Sequence, residues 1–268
     1  MRSLRLYLRL VGVCVRSQMQ YKTSFLTDLA GTLFGNAITF LSLAAVFARF
    51  GSVGGWRLGE VAFLYGLVEM GFATMDMVFS GYDPGYFSQL VRRGQFDQML
   101  LRPVALPLQV LSSEFTLRRL GRFAQGLIVF LLAVRLAGIH WTVAKLLYLP
   151  VVFGSVVAFF GSLFWIGSTT CFWTVEALEA INIFTYGGTE MLAYPMHIYD
   201  DWLRYLFTYV IPASLVVYYP ALYFLGKPDP FGLPRALSFL APVAGAAMLL
   251  LASAFWRFGV RHYQGTGT

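Results

Sequence analysis

The sequence predicts an all-α polytopic membrane protein with six transmembrane helices. Hydrophobic residues make up 58% of its 268 positions and charged residues 12%, about half the charged share of a soluble domain. Mean hydropathy is +0.66. The apolar residues gather into runs near the length of about 20 residues that a hydrocarbon layer demands. The formal charge of +7 lies at the ends of those runs rather than in one stripe, so it does not read as a nucleic-acid surface.

Residues 1–23 carry Arg2, Arg5, Arg9 and Arg16, which fall within about 60° of one another on a helical wheel. Leu4, Leu8, Val11 and Val15 cover the other side. With no small-residue cleavage site behind it, the segment reads as an amphipathic helix in the headgroup layer rather than a signal peptide. The alternative is a plain basic flank that orients the first span.

Residues 24–268 form the six-span domain. The expected spans are about 25–48, 59–81, 120–138, 146–173, 177–195 and 236–258. An inside N-terminus puts 13 of the 20 Lys and Arg residues on the cytoplasmic side and 7 outside. Both termini are therefore expected in the cytoplasm, with the protein in the cell (inner or plasma) membrane.

Two connections stand out. The loop 82–119 holds LVRRGQFDQMLLRPVALPLQVL, in which Arg92, Arg93 and Arg102 alternate with Phe96, Met99, Leu100 and Leu101. Gly94 and Pro103 punctuate it, and Asp97 adds an acidic point. The pattern predicts a small amphipathic helix stopped by Pro103, with apolar knobs for a partner and charges that set register. A basic loop resting on anionic lipid is the plainer reading. The segment 196–235 is apolar from Trp202 to Leu225 but interrupted by Pro212 and Pro220. It predicts two short helices that dip into the outer leaflet and return, with a seventh crossing as the alternative.

The loop motif (Arg93-Gly94, Phe96-Asp97, Leu100-Leu101-Arg102-Pro103 and Gln109) resembles that of type-2 ABC transporter export permeases. So does the downstream run of Tyr194-Pro195, Trp202-Leu203-Arg204, Ile211-Pro212 and Tyr219-Pro220. With the basic first helix, the resemblance covers essentially the whole chain. It implies that residues 84–103 are a cytoplasmic coupling helix, with Arg92, Arg93, Gly94, Phe96, Asp97, Met99, Leu100, Leu101, Arg102 and Pro103 meeting an ABC ATPase. It also implies a re-entrant outer gate at Tyr194, Pro195, Trp202, Pro212, Tyr219 and Pro220, and a second permease subunit, identical or sister. ATP and Mg would belong to the partner ATPase. Gly31, Gly35, Gly187 and Gly188 become candidates for the contact between permeases.

The chain has no phosphate-binding loop of its own, since Gly226-Lys227 is followed by Pro228. His140, His197 and His262 are isolated, and Cys14 and Cys171 lie far apart. No cofactor, metal or enzymatic motif emerges. Within the spans, Glu69 and Asp76 lie seven residues apart on one helical face, with Asn36 as a possible neighbour. An intramembrane carboxylate is a candidate functional group, because leaving it in hydrocarbon costs about 3 kcal/mol. One reading makes Asn36, Glu69 and Asp76 the lining of a translocation path. The other gives each carboxylate a structural partner such as Asn36, Arg135 or a hydroxyl. Glu190 and the pair Glu176/Glu179 are weaker candidates.

The resulting expectation is the transmembrane subunit of an ATP-driven exporter for an amphiphilic, lipid-like or drug-like cargo. The rival is a proton-coupled secondary transporter working through Glu69 and Asp76.

Overall fold

A computed structural model describes residues 2–174 and 181–265. Among the described residues every regular element is helical, apart from one isolated bridge between Val53 and Trp56. Four helices are long and apolar enough to cross a membrane: α2 (Lys22–Phe50), α3 (Leu58–Val78), α8 (Val143–Thr170) and α13 (Ala241–His262). The last begins after the residue expected, because Arg235–Phe239 forms a separate short turn before Pro242. A fifth helix, α7 (Leu120–Leu136), has 17 residues and is about 25 Å long, the lower limit for a span. The expected span 177–195 begins outside the described residues, as do Glu176 and Glu179. From Ile183 it runs as a π-turn (Ile183–Gly187) into α9 (Gly188–Leu192).

Helix α3 is the axis of the bundle, buried along nearly its whole length. It packs antiparallel against α7 through glycine. A Cβ on Gly66 would stand 2.7 Å from the Phe130 amide nitrogen, and one on Gly126 2.9 Å from the Met70 nitrogen. Such backbone contact excludes any larger residue. Helices α8 and α13 form a second close pair, running parallel, with Gly245 against Ser155 and Gly259 against Thr169. Helix α2 differs from the rest, because it touches the bundle mainly through α7 and leaves Phe34, Ile38 and Leu41 exposed. Gly31 and Gly35 have open space beside them.

Helix α1 (Arg2–Met19) lies against α6 (Leu106–Ser113). Its C-terminal end is held by Gln18, whose side-chain oxygen accepts from the Leu117 amide at 2.9 Å and whose amide donates to the Phe115 carbonyl. Arg9 and Arg16 are exposed while Val11 and Val15 turn inward, as the wheel predicts.

The loop between α3 and α7 departs from the expected single helix. Asp83 caps α4 (Pro84–Arg92) by accepting from the Tyr86 amide at 3.0 Å. Gly94 then takes φ +65°, and a second helix, α5 (Gln95–Leu100), starts in a new direction. Only a residue without Cβ enters that left-handed region freely, so the break between α4 and α5 belongs to Gly94, while α5 ends at Leu100, three residues before Pro103.

The outer segment contains α10 (Asp201–Tyr205) with a π-turn to Val210, then α11 (Ala213–Val216) and α12 (Tyr218–Leu225). The two halves, Asp201–Val210 and Ala213–Leu225, meet at 69°. Pro212 stands at the bend. Pro220 occupies the first turn of α12, just past the break at Val217 between α11 and α12: it has no N–H to offer the Val216 carbonyl, so the helix restarts there instead of running through.

Candidate functional site

The loop residues divide by burial in a way their sequence pattern conceals. Phe96 is 0% exposed and Met99 9%, whereas Leu100 is 43% and Leu101 87% exposed. Phe96 and Met99 were expected as knobs for a partner; they are instead the roots of α5 in its own chain. The Phe96 ring lies 5.6 Å from Phe87 on α4, 5.1 Å from Phe172 beyond α8, 6.1 Å from Trp256 on α13 and 5.0 Å from Tyr263. Edge-to-face packing of this kind adds to ordinary apolar burial. Through Phe96, α5 is packed against Phe172 just beyond α8 and against Trp256 near the end of α13.

What remains outward is a compact face of Arg92, Arg93, Leu100, Leu101, Arg102 and Pro103, all exposed. Gly94 is half-buried at the corner between the helices. Gln109 closes the far end, its side-chain amide donating to the Met99 carbonyl at 3.0 Å and the Val104 carbonyl at 2.7 Å. Asp97 is half-buried and sits beside the tail: a Cβ on Gly265 would be 3.6 Å from its Oδ1. Burial, followed by the Asp97 carboxylate, pushes the neighbouring Tyr263 hydroxyl up to about 12.

A second constellation lies where α2, α3 and α7 meet. Arg122 grips Glu69 with two bonds, Nε to Oε2 at 2.5 Å and Nη2 to Oε1 at 2.8 Å, and lies 4.6 Å above the Phe72 ring. One turn toward the loop, Arg119 Nε is 2.7 Å from Asp76 Oδ2, without an N–H aimed squarely at the oxygen. That contact is a close charge pair rather than an aligned hydrogen bond. Gln125 donates to the Tyr65 hydroxyl and the Asn36 carbonyl, both at 3.3 Å. An outermost pair, Arg118 with Asp28 at 3.8 Å, is exposed on both sides and contributes little.

These contacts correct the reading of Glu69 and Asp76 as open path-lining acids. Both are buried and each holds an arginine. Their partners are neither Asn36 nor Arg135 but Arg119 and Arg122, at the start of α7. With each acid on α3 committed to an ion pair, the proton-coupled alternative loses its support. Asn36 enters only through its backbone carbonyl.

The expected outer-gate residues separate similarly. Pro195, Tyr219 and Pro220 are buried, Tyr194 and Pro212 half-buried, and Trp202 exposed. Trp202 and Tyr219 line one cleft of about 410 Å³ with Arg204, which stacks on Phe231 at 3.9 Å. The segment is fastened to the helix ends below it. Lys227 reaches Glu60 Oε2 at 2.6 Å and the Gly55 carbonyl at 3.2 Å, His197 contacts the Gly54 carbonyl at 2.7 Å, and Lys145 donates to the Phe224 carbonyl at 2.8 Å. Sequence reasoning missed these staples, and no local signal marks them. Among the described residues no cluster of His, Cys, Asp and Glu is arranged to hold a metal.

Four helices long and apolar enough to cross a membrane, packed in an all-helical bundle among the described residues, mark an integral membrane protein. A family model described as ABC-2 family transporter protein matches residues 33–267, nearly the whole chain, and the protein belongs to that family. No curated protein and no solved structure matches it. It is thus an integral membrane subunit of an ABC transporter whose family works with an ABC ATPase.

Proposed function

We propose that this chain is the permease subunit of an ATP-driven exporter, moved by a separate ATPase that docks on α4 and α5. The observation that carries this reading is the two-sided character of α5. Its outer side offers Leu100 and Leu101 between Arg92, Arg93 and Arg102, a mixture of apolar contact and charge suited to a protein groove. Its inner side is rooted through Phe96 in the ends of two spans. Lipid contact alone needs no such root.

Six crossings are α2, α3, α7, α8, the segment through α9, and α13, with residues 196–235 as a re-entrant outer gate. Both termini then lie in the cytoplasm of the cell membrane. The unpartnered face of α2, with Gly31 and Gly35 open, is where a second permease subunit would pack. Cargo passes between the two subunits, and the apolar walls favour an amphiphile.

The test is co-purification. A tagged permease should bring down a nucleotide-hydrolysing subunit, and an Arg93→Ala/Leu100→Ala/Leu101→Ala variant should lose it while keeping its thermal stability. Retention of the ATPase by a folded triple variant would refute the assignment.

A further inference from the structure

Of the carboxylates embedded with the spans, Glu69 and Asp76 are paired with arginines. Glu190 is different. It is exposed, and among the described residues no basic group lies within ion-pair distance of it. Its depth follows from its neighbours. A Cβ on Gly188 would lie 4.0 Å from the Phe160 ring, and Phe160 is ten residues from the Thr170 end of α8. Glu190 therefore stands about 18 Å along the bundle from the Thr170 end of α8, near the middle of a helix of 28 residues that is about 42 Å long. A bare carboxylate at that depth costs about 3 kcal/mol against lipid, so the face bearing it is not a lipid face.

The local backbone places Glu190 deliberately. Asn182 and Glu190 are eight residues apart and would stand about 80° apart on a regular helix. The π-turn Ile183–Gly187 takes up one extra residue, which brings the two within about 20°. Asn182, Gly187 and Glu190 consequently share one exposed face, with the exposed Ile183 about 100° round from Asn182 at its side. Glu190 also lies within electrostatic range of Arg122 and Tyr65, so it belongs to the same field as the buried pairs. Glu69, Asp76 and Glu190 against Arg119 and Arg122 leave one negative charge uncompensated. Lys22, Arg49, Arg135, Arg257 and Arg261 all lie within about 8 Å of a helix end, away from the middle of the bundle.

From this geometry we infer that Glu190 is the recognition group for a cationic amphiphile, its positive head meeting the carboxylate and its apolar body lying along the Ile183 side of the face. The inference rests on the proposed path between permease subunits and names the cargo class for it.

The probes are tetraphenylphosphonium and tetraphenylborate, ions of the same shape and opposite charge, measured by equilibrium dialysis against the full chain in lipid nanodiscs. The cation should bind saturably and the anion should not. Glu190→Gln should weaken cation binding at least tenfold, with Glu190→Asp largely restoring it. Equal binding of both ions, no saturable cation binding by the wild type, or an unchanged Glu190→Gln variant would each overturn the inference. Loss of binding in both variants together with loss of the folded state would assign Glu190 a structural role and overturn it equally. None of these outcomes touches the ATPase co-purification, which tests the exporter reading separately.

Discussion

Phe96 and Leu101 stand five residues apart in the same motif, yet replacing each by alanine should produce opposite effects. Phe96 is fully enclosed by Phe87, Phe172, Trp256 and Tyr263. Truncating such a ring removes its transfer energy and leaves a cavity, about 3–5 kcal/mol for a buried aromatic residue. Four ring neighbours that cannot collapse inward together favour the upper half of that range. Leu101, 87% exposed, loses almost no intramolecular contact, so Leu101→Ala should stay within about 0.5 kcal/mol of wild type. Partner binding should invert the order. The assay pairs thermal unfolding of the detergent-solubilised chain with quantitative recovery of the ATPase on a tagged permease. Phe96→Ala should unfold at clearly lower temperature, whereas Leu101→Ala should keep its unfolding temperature and recover less ATPase. A Phe96→Ala protein as stable as wild type would show that the aromatic cluster does not hold α5. A Leu101→Ala protein that destabilises the fold would contradict the outward face.

The charge pairs and the tail give two further tests. Arg122→Met leaves Glu69 buried without its partner and should cost about 3–5 kcal/mol, whereas adding Glu69→Gln should recover most of that loss in thermal unfolding. Tyr263 should titrate near 12 in a spectrophotometric pH titration, above its usual 10.0, because burial and then Asp97 favour the neutral hydroxyl. The folded state holds that proton longer than the unfolded chain. The contribution is thus complete below pH 10 and is lost as pH rises toward 12. Asp97→Asn should move the titration back toward 10; an unchanged titration would show that the carboxylate has no influence on the hydroxyl.

Much of the architecture was legible because it depends on local composition. The apolar runs of α2, α3, α8 and α13 announce themselves, since each backbone satisfies its own hydrogen bonds and needs only length and hydropathy to be seen. Asp83 before Pro84 marks the start of α4, and the wheel of α1 separates Arg9 and Arg16 from Val11 and Val15. Gly94 was visible as punctuation, but residues 84–103 were expected as one helix ending at Pro103, and the turn at Gly94 that divides them was not foreseen. A glycine and a proline both permit a break, and the sequence does not say which φ is used. The π-turn at Ile183–Gly187 carries no composition signal at all, yet it decides where Glu190 points.

Amino-acid order alone therefore determined a helical membrane protein with a basic loop and a proline-marked outer segment. Only the tertiary structure decided which side of the loop faces inward, because the burial of Phe96 is set by Trp256 and Tyr263, which arrive from the far end of the chain. It likewise decided that Arg122 answers Glu69 across 53 residues and that Glu190 has no such answer among the described residues. Charge in an apolar medium is costly unless paired, and pairing is a property of helices brought together rather than of any one of them.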